Sequence, residues 1–152
     1  MTAINVRYTH SKPNFSGLMN LYENNYRLLS TLLECLDDNQ NSIRNKNGYT
    51  LKIHRRHQTH YTQNIDLHYS FHTQRRGRKI VVAIASFKVR LYLDTRQVEV
   101  VYSEVQLKNS FSICRLLLSL QTKWYYNQCL RVVLRSFFTL RTPVQIGTSR
   151  NV

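Results

Sequence analysis

The first clear periodicity lies in residues 16–36, where Leu18, Leu21, Tyr22, Leu28, Leu29, Leu32, Leu33 and Leu36 recur at threes and fours. That spacing lines apolar side chains along one stripe and predicts an amphipathic helix ending near Asp37-Asp38. Asn14 and Ser16 are candidate N-caps, because their side-chain oxygens can accept from the first free backbone N–H groups. Each leucine buried by the stripe contributes about 1.5–3 kcal/mol, so the helix should be a main part of the core. The stretch "DDNQNSIRNKNG" that follows is rich in turn formers and reads as a loop.

From Tyr49 the period changes to two. Tyr49, Leu51 and Ile53 share one face, with Thr50, Lys52 and His54 on the other. In the next run Tyr61, Ile65, Leu67, Tyr69 and Phe71 face inward, opposite Thr62, Asn64, Asp66, His68, Ser70 and His72. The two runs predict an antiparallel pair with one buried side. "QRRGRK" is a basic turn in which Gly77 is free to take a positive φ. A longer strand follows, with Val81, Ala83, Ala85, Phe87, Val89, Leu91 and Leu93 as an unbroken apolar face. Asp94-Thr95-Arg96 then turns the chain into "QVEVVYS".

These elements predict an α+β fold, an N-terminal amphipathic helix packed on a four-stranded antiparallel sheet. Residues 1–13 read as a loose N-terminus and 14–104 as the α+β domain. Residues 105–152 are a separate tail, whose apolar residues lie nearly all round and would suit one or two helices. No internal repeat is present.

Composition sharpens that last boundary. The net charge is +14, and all eight acidic residues lie at or before Glu104, so the last 48 residues carry half of the charge with no acid among them. A basic excess of this size favours polyanions such as nucleic acid or anionic lipid headgroups. Three cysteines, Cys35, Cys114 and Cys129, have no CxxC spacing, and the first residues have no apolar export segment. Both features predict reduced thiols and a cytoplasmic protein. No window reaches the roughly 18 apolar residues of a membrane-spanning helix.

Four kinds of chemistry have candidate residues. For metal, Asp66, His68 and His54 would share the solvent face of a strand pair, whereas the threefold spacing of His54, His57 and His60 suits only a helix. Zinc needs three or four convergent ligands, and this set reads first as the polar side of a hairpin. For nucleic acid, Arg55, Arg56, Arg75, Arg76, Arg78 and Lys79 are placed in turns where they could neutralise phosphates. No RNP, KH, helix-turn-helix or zinc-finger pattern accompanies them. For catalysis, the nucleophile elbow, phosphate loop, dinucleotide and metalloprotease motifs are all missing from the sequence. Asp94 and Glu99 could be paired carboxylates, but a turn and a cross-strand ion pair with Arg90 or Arg96 is the plainer reading. For membrane surfaces, Trp124, Tyr125, Tyr126, Phe137 and Phe138 mix with arginines in the tail without separating into faces.

"NFSGLMNLYENNYRLLSTLL", the paired "YTLKI" and "HYTQNIDL", and above all "FKVRLYLDTRQVEVV" give a further clue. Over residues 12–103 the chain resembles the YqiB-like family of small bacterial proteins, domain of unknown function number 1249. The most specific element is Val89 to Asp94 with Val98, Glu99 and Val100 after it. The resemblance implies a cytoplasmic setting and brings no reaction, cofactor or partner. After Glu104 the family order of Pro-Asn-Lys, acidic residues and a Trp-bearing helix is not met. The tail is therefore expected to be either divergent or translated out of frame, since Gln121-Thr122-Lys123-Trp124 can be encoded so that a shifted frame gives Pro-Asn-Lys-Met. The expected function is a non-catalytic binding or interaction module without a cofactor, its partner a protein or a polyanion. The alternative is a nucleic-acid-associated protein using the basic turns.

Overall fold

The structure is a computed structural model and describes residues 14–107, 110–114, 120–138 and 145–147. The expectation of a loose N-terminus falls outside them. Helix α1 spans Phe15–Glu34, and the Asn14 side chain caps it by accepting from the Gly17 N–H at 2.6 Å. Strands β1 (Ser42–Arg44), β2 (Tyr49–Gln58), β3 (Thr62–Arg75), β4 (Arg78–Tyr92), β5 (Gln97–Leu107) and β6 (Ser110–Cys114) follow, then helix α2 (Leu120–Arg135) and strand β7 (Gln145–Gly147).

All seven strands form one sheet in the order β6-β5-β4-β3-β2-β1-β7, and each neighbouring pair is antiparallel. The α+β class stands, and the four expected strands form its middle. Three short strands are added, because runs of three to five residues are too brief to show a period of two. One of them, β1, lies inside the stretch expected to be loop.

One face of the sheet meets the helices. Leu29 and Leu32 of α1 and Cys129, Leu130, Val133 and Leu134 of α2 are packed with Leu51, Ile65, Leu67, Phe87, Val89, Val98 and Val100 in one cluster. The tail therefore supplies core. Tyr126 and Phe137 are buried at 3% and 2% exposure, which removes them from an interfacial, membrane-facing role. Among the described residues no helix is long and apolar enough to cross a membrane. The helices meet where Gly17 faces the Trp124 ring: a Cβ added there would sit 2.9 Å from Cζ3, so only glycine allows this approach.

A polar linkage ties α1, α2 and β5 together. Asn25 Nδ2 donates to the Asn127 carbonyl at 3.0 Å, and Asn127 Oδ1 accepts from the Val100 N–H at 3.2 Å. Both asparagines are fully buried. β6 runs beside only Ser103–Leu107 of β5, so the first half of β5 lacks a strand on that side among the described residues. An unpaired strand edge leaves backbone groups unsatisfied. The helix side chain supplies the acceptor that a strand would have given.

A bulge in the β3–β4 ladder alters which side chains point inward. Between Tyr69 and Ser70 the β3–β4 register slips, Tyr69 pairing with Ala85 and Ser70 with Ala83. An extra residue reverses the alternation beyond it. Val81, expected inside, is instead 60% exposed, and Ile84 and Ala85 are buried in succession. Tyr61, also expected inside, is 61% exposed and packs edge-on against His60.

Candidate nucleic-acid interface

β3 and β4 outrun the rest of the sheet. The last β3 residue paired with β2 is Phe71, and the β4–β5 pairing ends at Ala85. Beyond them, among the described residues, Thr73–Ile80, Gln74–Lys79 and Arg75–Arg78 pair only with one another, as a two-stranded arm with His72–Val81 at its root. The expected six-residue basic turn contracts to Arg76-Gly77, so Arg75, Arg78 and Lys79 stand on strands.

Both turn residues have positive φ, 51° at Arg76 and 76° at Gly77. Two successive positive φ values fit a type I′ turn, whose twist matches that of the strands it joins. Gly77 meets this demand without strain, and a Cβ there would touch nothing within 4 Å. Arg76 meets it at a cost, because a side chain in the left-handed region is worth roughly 1–2 kcal/mol of strain.

Arg75, Arg76, Arg78 and Lys79 are all exposed. None has an ion pair or side-chain hydrogen bond among the described residues. Between His72 and Val82 the sequence holds no acid. At the arm's root His72 bonds through its backbone N–H to Gly48 O at 2.9 Å and lies 3.4 Å through Nε2 from Ser70 Oγ. Burial and then the charge of Arg44 hold its imidazole below the ordinary pKa.

The other two residues of the predicted basic set are elsewhere. Arg55 and Arg56 lie in strand β2, and Arg55 pairs with Ile65 near the far end of β3. Ten β3 residues separate that point from Arg75, roughly 33 Å at about 3.3 Å per residue. Arg56 is also engaged by the Asp66 carboxylate. The six predicted residues thus divide into a free cluster of four, one neutralised arginine, and Arg55.

The metal candidates divide similarly. His54 and Asp66 face each other across the β2–β3 ladder, but Asp66 is 5% exposed and holds Arg56 instead of standing in solvent. His68 turns away from them, with Nδ1 3.0 Å from Ser86 Oγ. Among the described residues no three His, Cys, Asp or Glu side chains converge on a point.

A cleft, missed from the sequence, opens where α1, α2 and the β4–β5 turn meet. It encloses about 420 Å³ and is lined by residues including Phe15, Leu18, Met19 and Leu120, with Tyr92, Glu99 and Lys123 as its polar side. Glu99 accepts from Tyr92 Oη at 2.9 Å and from Lys123 Nζ at 3.3 Å. The Glu99 ion-pair partner is therefore a tail lysine, and Arg90 donates to Asn64 Oδ1 instead. Asp94 accepts from the Thr95 N–H, as a turn residue does, so the two carboxylates do not form a catalytic pair. Burial, reinforced by Glu99 and Tyr92, pushes the Tyr22 phenol far up, which keeps it a neutral hydroxyl. Burial likewise raises the Cys129 thiol to about 11 and leaves it without nucleophilic character at neutral pH. The only sequence signal for this cleft was Glu99, since its ion-pair partner Lys123 comes from the tail that charge had set apart.

Comparison with curated proteins and with solved structures finds no match. A family profile described as "Protein of unknown function (DUF1249)" matches residues 26–139. The matched span starts later than the resemblance legible in the sequence and runs past residue 103 through the whole of α2. With three quarters of its length inside that profile, the chain belongs to the DUF1249 family of proteins of unknown function.

Proposed function

We propose that this protein is a non-catalytic binding module that takes the phosphate backbone of nucleic acid on its β3–β4 arm. The observation that carries the reading is the clustering of Arg75, Arg76, Arg78 and Lys79, with no ion pair among the described residues, at the tip of a ribbon that extends past its β2 and β5 pairing. Four cations stand together here with no acid between His72 and Val82 to neutralise them, whereas Arg56 and Lys123 each hold a carboxylate. A strained arginine at the turn supports the same conclusion, because asparagine or glycine would fold there more easily.

Such binding is electrostatic and must weaken steeply with salt. Four phosphates neutralised on a duplex give a log–log slope of about −3.6. Fluorescence anisotropy of a labelled mixed-sequence duplex, titrated at several salt concentrations, measures that slope. A slope near zero, or no binding at low salt, removes the reading.

A second reading, an interaction module for a protein partner, rests on the cleft. Phe15 and Leu120 on its lining are 69% and 40% exposed, a combination that would suit an apolar anchor from another chain. Retention of partner binding by a variant with Arg75→Ser and Arg78→Ser, and its loss on Leu120→Glu, would favour this reading over the first.

A further inference from the structure

The shape of the arm narrows the kind of nucleic acid, an inference that rests on the phosphate-binding reading. Its two strands stand about 4.8 Å apart, which with side chains makes a ribbon of the width that enters a B-form major groove about 12 Å across. Four residue pairs beyond Phe71 carry the tip about 13 Å out at roughly 3.4 Å per residue, more than the groove depth of about 8.5 Å. The tip can then reach base edges while the arm's root remains at the level of the phosphates.

The charges are arranged to suit two walls. Cross-strand partners share a face, so Arg75 and Arg78 stand on one side of the ribbon. Gln74 and Lys79 stand on the other, and Arg76 occupies the turn between. A groove has a phosphate row on each side, whereas a single strand offers one. The A-form major groove of an RNA duplex is too narrow and deep for side chains to read. Arginine can donate to guanine O6 and N7, and glutamine can donate to adenine N7 while accepting from the N6 amino group.

We infer that the Thr73–Ile80 arm inserts into the major groove of double-stranded DNA. The protein's binding to a B-form DNA duplex, an RNA duplex of the same sequence and the single DNA strand should be compared at one low salt concentration. The DNA duplex is expected to bind about tenfold tighter than either other form, the discrimination that one bidentate base contact supplies. Dimethyl sulfate footprinting should show protection of guanine N7, in the major groove, with adenine N3 in the minor groove still reactive. Arg75→Ser with Arg78→Ser should erase both the preference and the protection, while the circular dichroism spectrum of the folded protein is kept. Equal or stronger binding to RNA or to the single strand, or protection of adenine N3 alone, overturns groove insertion and leaves phosphate binding standing. Absence of binding to all three overturns both.

Discussion

Arg76 sits in a backbone region that costs an arginine roughly 1 kcal/mol more than asparagine or glycine. Arg76→Asn is therefore expected to raise unfolding stability by about 0.5–1 kcal/mol and to weaken nucleic-acid binding at the same time. Urea midpoints and anisotropy titrations of the same two proteins would read the opposite signs; a variant both less stable and equally tight contradicts the assignment. His72 gives a pH effect whose sign is fixed by its surroundings. Its folded pKa lies below the ordinary value through burial and then Arg44, so the unfolded chain takes up its proton first as pH falls below about 6.5. Stability present above that pH is lost towards acid, and His72→Gln should flatten the loss between about pH 7 and pH 5. Denaturant unfolding at the two pH values checks this, and an unchanged slope would show that His72 is not responsible.

At the scale of elements, the least expected result is that α2 belongs to the core. Asn127→Leu should cost about 2–4 kcal/mol, because it strands the buried Val100 N–H and leaves the α2 side of the linkage without its amide. A urea titration with the midpoint unchanged would contradict the role of this residue in closing the β5 edge. A chain ending at Glu104 should lose cooperative unfolding, since it exposes the face of Leu29, Val98 and Val100 that α2 covers. The burial of Leu130, Val133 and Leu134 and the family match through residue 139 support an in-frame helix. Sequencing the gene would check it, and a single-base shift upstream of codon 120 would count against it. Helix α1 and the four middle strands were legible because their periods of 3.6 and two persist over many residues. The alternation could not reveal the slip at Tyr69–Ser70, which moves Val81 to the outside, because a bulge leaves no compositional mark. Charge misled at α2: Lys123 and Arg131 interrupt its apolar run without preventing one face from packing, as Cys129, Leu130 and Val133 do. Of the candidate sites, the arm's four cations were visible in the sequence. Their separation from Arg55 and the capture of Arg56 by Asp66 required the strand directions.

For the whole molecule, net charge and charge position make different predictions. A protein at +14 attracts any polyanion to some degree, and a diffuse excess would make every exposed cation roughly equivalent. The proposed function says instead that the arm dominates. Two variants of equal net charge separate these cases. One carries Arg75→Ser, Arg76→Asn, Arg78→Ser and Lys79→Ser; the other removes the exposed Arg27, Arg55, Arg96 and Arg135, none of which lies on the arm. The decisive measurement is the salt dependence of duplex DNA binding by the two variants beside the parent protein. The account predicts that the second variant keeps a slope near the parent's about −3.6 while the arm variant falls close to zero. Equal losses in the two variants would contradict it and reduce the arm to one part of a generally basic surface.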